Sequence, residues 1–229
     1  MGAKKLSVIV TATLAALALV AGTAFALDIP IANSGFESGN SGFSSNYTYV
    51  ASTGDFALYP EGTYTVGTDP RLYHNLWASF GAQEGNNMMI VNGAINSAAP
   101  VTVWAVSVTG LEVGTEYFFS AWVTSVYPPP VGTSATAPAL LAFSINGTEL
   151  VPDIFAATTG NWSLFYRSWT ATATTANLSL INRTTDAQGN DFAIDDIRLS
   201  TSIPTPEPTT LLLLGLGLIG MAGVRRFRK

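Results

Sequence analysis

One histidine and no cysteine stand in this chain of 229 residues, and the two counts together remove most of the catalytic repertoire. His74 alone cannot assemble a histidine-rich zinc site or an H-E-x-x-H protease, and no G-x-S-x-G elbow accompanies it. A Ser-His-Asp triad would have to pass through His74, whose neighbours Tyr73 and Trp77 are those of a packing or loop histidine. Carboxylate chemistry remains. Asp195 and Asp196 are adjacent inside the apolar run Ile194–Ile197, where two like charges repel and lose hydration unless a cation or hydrogen-bond donors neutralise them. Two arrangements would answer this. Ca²⁺ takes about six to eight oxygens, which carboxylates and loop carbonyls can supply without histidine or thiol. Alternatively, strand alternation turns one aspartate to solvent while backbone amides cap the other. Asp186 and Asp191 flank the same region and read as an exposed turn. Paired carboxylates can also hydrolyse glycosides, but no spacing here marks such a pair.

Aromatic side chains point to binding rather than turnover. Five tryptophans and eight tyrosines are available to stack on the apolar faces of sugars. Trp104 and Trp122 fall within strand-like runs and read as buried. Tyr64, Tyr73, Trp77 and Trp162 fall near strand ends or loops and are the expected exposed platform.

The elements that would position these groups have a period of two. Tyr117, Phe119, Ala121 and Val123 alternate with Phe118, Ser120, Trp122 and Thr124, the pattern of a strand buried on one face and partly on the other. Similar runs occur at 47–51, 63–66, 88–91, 101–108, 140–145, 164–172, 178–181 and 192–199. Asn146-Gly147 predicts a type I′ hairpin turn, and Asn92-Gly93 reads the same way. Pro128-Pro129-Pro130 opens a loop reaching Pro138. No helical periodicity is present between residues 27 and 203, so the expected fold is all-β, a jelly-roll β-sandwich of nine or ten strands in one domain.

Both ends of the chain carry addresses. Lys4-Lys5, an apolar stretch from Leu6 to Gly22, and Ala24-Phe25-Ala26 form a signal peptide over residues 1–26, with a helical apolar core and cleavage before Leu27 by the Sec export route. At the other end stand Pro206-Glu207-Pro208, an apolar run from Leu211 to Val224, and Arg225-Arg226-Phe227-Arg228-Lys229. A helix over 209–224 spans on the order of 24 Å at 1.5 Å per residue, short of a ~30 Å hydrocarbon core. Bilayer thinning and arginine snorkelling accommodate that, so length does not separate an anchor from a signal. Gly215, Gly217 and Gly220 satisfy G-x-G-x-x-G only formally, because the chain ends before the acidic residue such a loop requires. Between the two addresses, four arginines face fourteen acids, a formal charge of −10. That balance excludes nucleic acid and anionic membrane as partners of the domain itself.

In its order of tripeptide, apolar run and basic end, the tail over 204–229 resembles the PEP-CTERM sorting signal of exopolysaccharide-producing Gram-negative bacteria. The resemblance implies recognition by a membrane-embedded exosortase at Pro206, Glu207 and Pro208, with Arg225 and Arg226 as the cytoplasmic stop. It also implies transient residence in the membrane and release or transfer to the cell surface or extracellular matrix, in association with exopolysaccharide or biofilm. The middle of the chain resembles jelly-roll carbohydrate-binding and galactose-binding-like modules at Asn33-Ser34-Gly35-Phe36-Glu37, at Gly114-Thr115-Glu116-Tyr117-Phe118-Phe119, and at Asn190–Ile197. This second resemblance implies that the first and last strands lie together, that Glu37 with Asp195 and Asp196 holds a structural Ca²⁺, and that the domain binds carbohydrate without catalysis. A secreted glycan-active enzyme and a purely structural adhesin are the alternatives.

Overall fold

The structure, a computed structural model, describes residues 27–93, 101–127, 138–155, 159–184, 186–187 and 189–205. The expected signal peptide with Ala24 and Ala26, the triproline at 128–130, and the tail with Pro206, Glu207, Pro208, Arg225 and Arg226 lie outside these residues, as do both expected flanking helices. Among the described residues no helix is long and apolar enough to cross a membrane.

The alternating runs become strands: β1 (Asp28–Ile29), β2 (Thr48–Tyr49), β3 (Thr63–Gly67), β4 (Met88–Asn92), β5 (Val101–Thr109), β6 (Glu116–Ser125), β7 (Leu140–Ile145), β8 (Thr148–Phe155), β9 (Ser163–Thr170), β10 (Thr175–Asn182) and β11 (Phe192–Ser200). They form two sheets. The larger runs β2-β3-β4-β11-β6-β9, with β1 also paired to β11, and the smaller runs β5-β10-β7-β8. First and last strands do lie together, Asp28 opposite Ser200 and Ile29 opposite Leu199. The architecture is thus a β-sandwich, as the period of two requires.

Alternation along β6 sends Tyr117, Phe119, Ala121 and Val123 into the space between the sheets, where they meet Leu141, Phe143, Leu178 and Leu180 from the smaller sheet. Phe119 packs on Phe143 with ring centroids 4.6 Å apart, and on Trp104 at 6.3 Å. Each such buried aromatic contributes on the order of 2–3 kcal/mol through the surface it removes from water. With no disulfide available, this packing carries the stability.

A second cluster forms on the outer face of the larger sheet. The long connection between β2 and β4, interrupted by β3 and a 3₁₀ turn at Pro70–Leu72, lays Leu58, Tyr73 and Trp77 over Met88, Ile90 and Ala193. β4 is therefore buried on both faces, Met89 and Val91 toward the inter-sheet core and Met88 and Ile90 toward this outer layer.

Asn146 and Gly147 have φ of 53° and 80°, the left-handed pair a type I′ turn needs, and they join β7 to β8. Asn92-Gly93 differs from expectation. Asn92 still belongs to β4, and neither residue has positive φ. Glycine is needed at 93 for a different reason, because any Cβ there would collide with the backbone and side chain of Asn190.

Candidate functional site

β11 departs from regular pairing where the two aspartates sit. Its register with β6 slips between Asp195 and Arg198, and Asp196 takes a left-handed φ of 46°. Such a bulge re-aims side chains, and here it separates the fates of the two carboxylates. Asp195 is fully buried. Its Oδ2 accepts from the amides of Gln83 (2.9 Å) and Glu84 (3.1 Å), and its Oδ1 accepts from the amide of Asp196 (2.8 Å). Asp196 is half-buried, and its Oδ1 accepts from Nε of Arg198 (2.8 Å), whose Nη2 also pairs with Glu84 (3.1 Å). Backbone amides thus cap Asp195, and Arg198 pairs with Asp196.

Glu37 acts on the same loop from the other side. Asn33 organises the turn that carries it: its Nδ2 donates to the carbonyls of Gly39 and Ser41, and its Oδ1 accepts from Ser38 N, all at 2.8 Å. Phe36 is buried edge-on against Phe43. The exposed Glu37 carboxylate then accepts from the amides of Asn86 (2.8 Å) and Asn87 (2.7 Å). Gly85 lies between the two clamps with φ of 69°, and a Cβ on it would strike the Glu37 carboxylate. The two clamps have opposite electrostatics. Amide donation holds Glu37 below the ordinary carboxylate range, whereas burial pushes Asp195 up to about 7 despite its three amides.

The donor set is not that of a shared metal cage as it stands. Glu37, Asp195 and Asp196 reach the same neighbourhood, but each has an oxygen committed to an amide or to Arg198. Among the described residues no three acidic or histidine side chains converge as metal ligands would.

Beside the clamps a cleft of about 630 Å³ opens, lined by Asp28, Ser34, Glu37, Glu84, Asp196 and Arg198. It adjoins a smaller one of about 190 Å³, with Ser120, Trp122 and Leu164 as its floor and Ser202–Thr205 along one side; Asp28, Asp196 and Arg198 line both. Trp122 corrects an expectation. It is only half-buried and belongs to neither hydrophobic cluster, because it occupies the outer face of β6 beyond the layer that covers β4. Ser120 projects from the same face with a buried Oγ that has no hydrogen-bond partner. Further along, Phe118 and the exposed Tyr166 meet edge-to-face at 6.0 Å. Interaction with Asp196 and Glu84 holds the Arg198 guanidinium above its ordinary range, so it is a fixed cation in the cleft wall.

The four expected platform residues are placed differently. Tyr64 is buried in the inter-sheet core and donates to Asn40 (2.8 Å). Tyr73 is buried against Gly67, where a Cβ would collide with its ring. Trp77 is buried and donates from Nε1 to Asp191 (3.0 Å). Trp162 is half-buried, edge-on to Phe80, and donates to the Gly81 carbonyl (3.1 Å). Tyr73 and Trp77 present no free ring, because the β2–β4 connection builds its own core from the aromatics it carries, and Tyr64 is taken up by the inter-sheet core, whereas Trp162 stays half-buried. Asp186 is exposed as expected, but Asp191 is buried against Trp77 and the Gly93 amide, and burial pushes it up to about 6. Trp122 lines the smaller cleft although the strand pattern reads it as buried. Its outward register was visible in the alternation, but what covers that face was not.

Comparison with known proteins matches the PEP-CTERM protein-sorting motif to residues 204–229. No curated protein matches the chain. Among solved structures, the chain is similar to the Stig cyclase Fisc from Fischerella sp. TAU in complex with (3Z)-3-(1-methyl-2-pyrrolidinylidene)-3H-indole, at 16% identity, 76% of this chain, 97% of that one and a TM-score of 0.52. It is also similar to TmCBM61 in complex with beta-1,4-galactotriose (15% identity, 75% and 97% coverage, TM-score 0.44). A third similar structure is the CBM22-1-CBM22-2 tandem of Paenibacillus barcinonensis Xyn10C (16%, 79% and 46%, TM-score 0.45). At such identities these likenesses concern the fold alone. The sorting motif goes further: it marks an exported protein sorted by exosortase and held at the membrane before processing.

Proposed function

We propose that the sandwich is a jelly-roll saccharide-binding domain without catalytic activity, which holds neutral extracellular polysaccharide at the cell surface or in the matrix once exosortase has processed the tail. The observation that carries this reading is the half-exposed Trp122 ring beside the unpartnered Ser120 Oγ, with Asp28, Asp196 and Arg198 around one open cleft. Saccharides need that combination: an aromatic surface for their C–H faces and fixed polar groups for their hydroxyls. Charge supports a neutral polymer. The domain is strongly acidic, and Arg167, Arg183 and Arg198 are each tied to carbonyls or carboxylates. Absence of turnover is supported by the commitment of Glu37, Asp195 and Asp196 to structural partners.

Affinity electrophoresis of the processed protein on the producer's own exopolysaccharide and on a panel of neutral polysaccharides tests the proposal. Trp122→Ala should weaken retention about tenfold or more, which corresponds to about 1.4 kcal/mol, with an unchanged melting temperature. Retention by none of the polymers rejects the binding reading, and release of reducing ends rejects its non-enzymatic part.

Structural calcium at Glu37, Asp195 and Asp196 is a separate proposal. What speaks for it is that these carboxylates approach one loop; what it requires is displacement of amide donors by the ion. Equal melting temperatures in excess calcium and in excess chelator reject it.

A further inference from the structure

His74 takes no part in the cleft, yet it is the middle of a column of rings. Its imidazole stacks on Trp77 with centroids 4.7 Å apart and planes 18° apart, and on Tyr59 with centroids 5.9 Å apart and planes 11° apart. Phe56 stands edge-on to both Tyr59 (5.5 Å, 87°) and His74 (5.8 Å, 80°). Exposure rises along the column: Trp77 is 2% exposed, His74 8% and Tyr59 63%, and Phe56 beside it is 53% exposed. The base is anchored, since Trp77 Nε1 donates to the buried Asp191.

Backbone bonds fix the two loops that carry these rings. Leu58 N donates to Tyr73 O (3.1 Å), Asn75 N to Asp55 O (2.8 Å) and Gly54 N to Leu72 O (3.0 Å), and Phe56 and His74 form a β-bridge. His74 Nδ1 accepts from Leu76 N (3.4 Å), which orients the imidazole. Burial lowers the His74 pKa, so the ring in the stack is neutral at physiological pH.

A tyrosine held parallel on a buried stack has one face covered and one face free. With a phenylalanine standing perpendicular beside it, the free face becomes the floor of a preformed corner, and a ligand landing there orders no ring of its own accord. A flat apolar ring face held in place suits a ligand that offers C–H faces. We propose that Phe56 and Tyr59 form a second saccharide site, in which one pyranose face lies on Tyr59 and Phe56 is the side wall. It rests on the reading that the domain binds saccharide, but shares no lining residue with the Trp122 cleft. Two sites on one domain make it a cross-linker: a single molecule engages two chains, or two stretches of one chain, and avidity replaces single-site affinity.

The test uses the processed protein and its Tyr59→Ala, Tyr59→Phe, Trp122→Ala and Tyr59→Ala/Trp122→Ala forms, each checked for an unchanged melting temperature. Retention on neutral polysaccharide and precipitation of that polymer are measured, with sedimentation velocity in its absence. Tyr59→Ala should weaken retention about tenfold and abolish precipitation. Tyr59→Phe keeps the ring and should retain both, and the double variant should bind less than either single one. Tyr59→Ala with wild-type retention and precipitation overturns the second site while leaving the cleft reading intact. Loss in Tyr59→Ala with none in Trp122→Ala leaves this site standing and removes the cleft. A change in self-association instead assigns the corner to contact with a second copy of the chain and also overturns the proposal.

Discussion

Replacing Asp195 by alanine should cost stability at pH 5 and almost none at pH 8. The substitution removes a carboxyl group, protonated in the fold at pH 5, whose oxygens accept three backbone amides, from Gln83, Glu84 and Asp196. At about 1 kcal/mol for each bond, the loss at pH 5 is on the order of 3 kcal/mol. The wild-type clamp, however, weakens with pH. Its pKa is about 7 in the fold, against about 3.9 in the unfolded chain. Between those values the folded state holds a proton that the unfolded state has released, so stability falls as pH rises and levels off above about 7. From pH 5 the wild type therefore loses about 2 pH units' worth, at about 1.4 kcal/mol each, on the order of 3 kcal/mol. Alanine has no such dependence, and the two curves should meet near pH 8. Asp191, Glu61 and His74 also have shifted pKa values, but they titrate in both proteins and cancel in the difference. Urea unfolding of both proteins, followed by tryptophan fluorescence from pH 5 to pH 8 in chelator, provides the measurement. Parallel curves would refute the reasoning, since they would mean that Asp195 ionises in the fold as it does in water. Repeating the series in excess calcium extends the test: an ion that keeps Asp195 charged makes wild-type stability rise rather than fall with pH.

Two further outcomes follow from the same face of the sandwich. Glu37→Ala should accelerate hydrogen exchange at the amides of Asn86 and Asn87 while leaving β4 protected, and unchanged exchange would show that the Glu37 carboxylate does not clamp them. Only residues 201–210 separate the end of β11 from the apolar run at Leu211, and Ser202–Thr205 already lie along the smaller cleft. The remaining 206–210 can extend at most about 17 Å, so the unprocessed chain in a bilayer nanodisc should bind short oligosaccharides as the processed protein does but retain long polymer several-fold less well; equal retention of long polymer would show that the membrane does not crowd the cleft.

The sorting signal of this protein and the class of its fold were legible in the sequence because both are written locally. A tripeptide, an apolar run and a basic end are contiguous, and the PEP-CTERM motif matches them without reference to anything upstream. Alternation along β6 and the left-handed pair Asn146-Gly147 are equally local, and both stand in the structure as read. Burial on the outer face of the larger sheet was not legible, because it depends on where residues 50–87 fold back. That segment hides Tyr73 and Trp77, stops short of Trp122, and brings Tyr59 onto His74. The aspartate pair shows the boundary most sharply. Chain chemistry demanded that adjacent carboxylates in an apolar strand be neutralised, but a bulge in pairing with β6, and amides supplied from more than a hundred residues away, decided that Asp195 is buried and Asp196 meets Arg198. Local pattern determines which elements form and where the chain is sent; the register between distant strands and the path of a long connection decide which side chains meet a ligand.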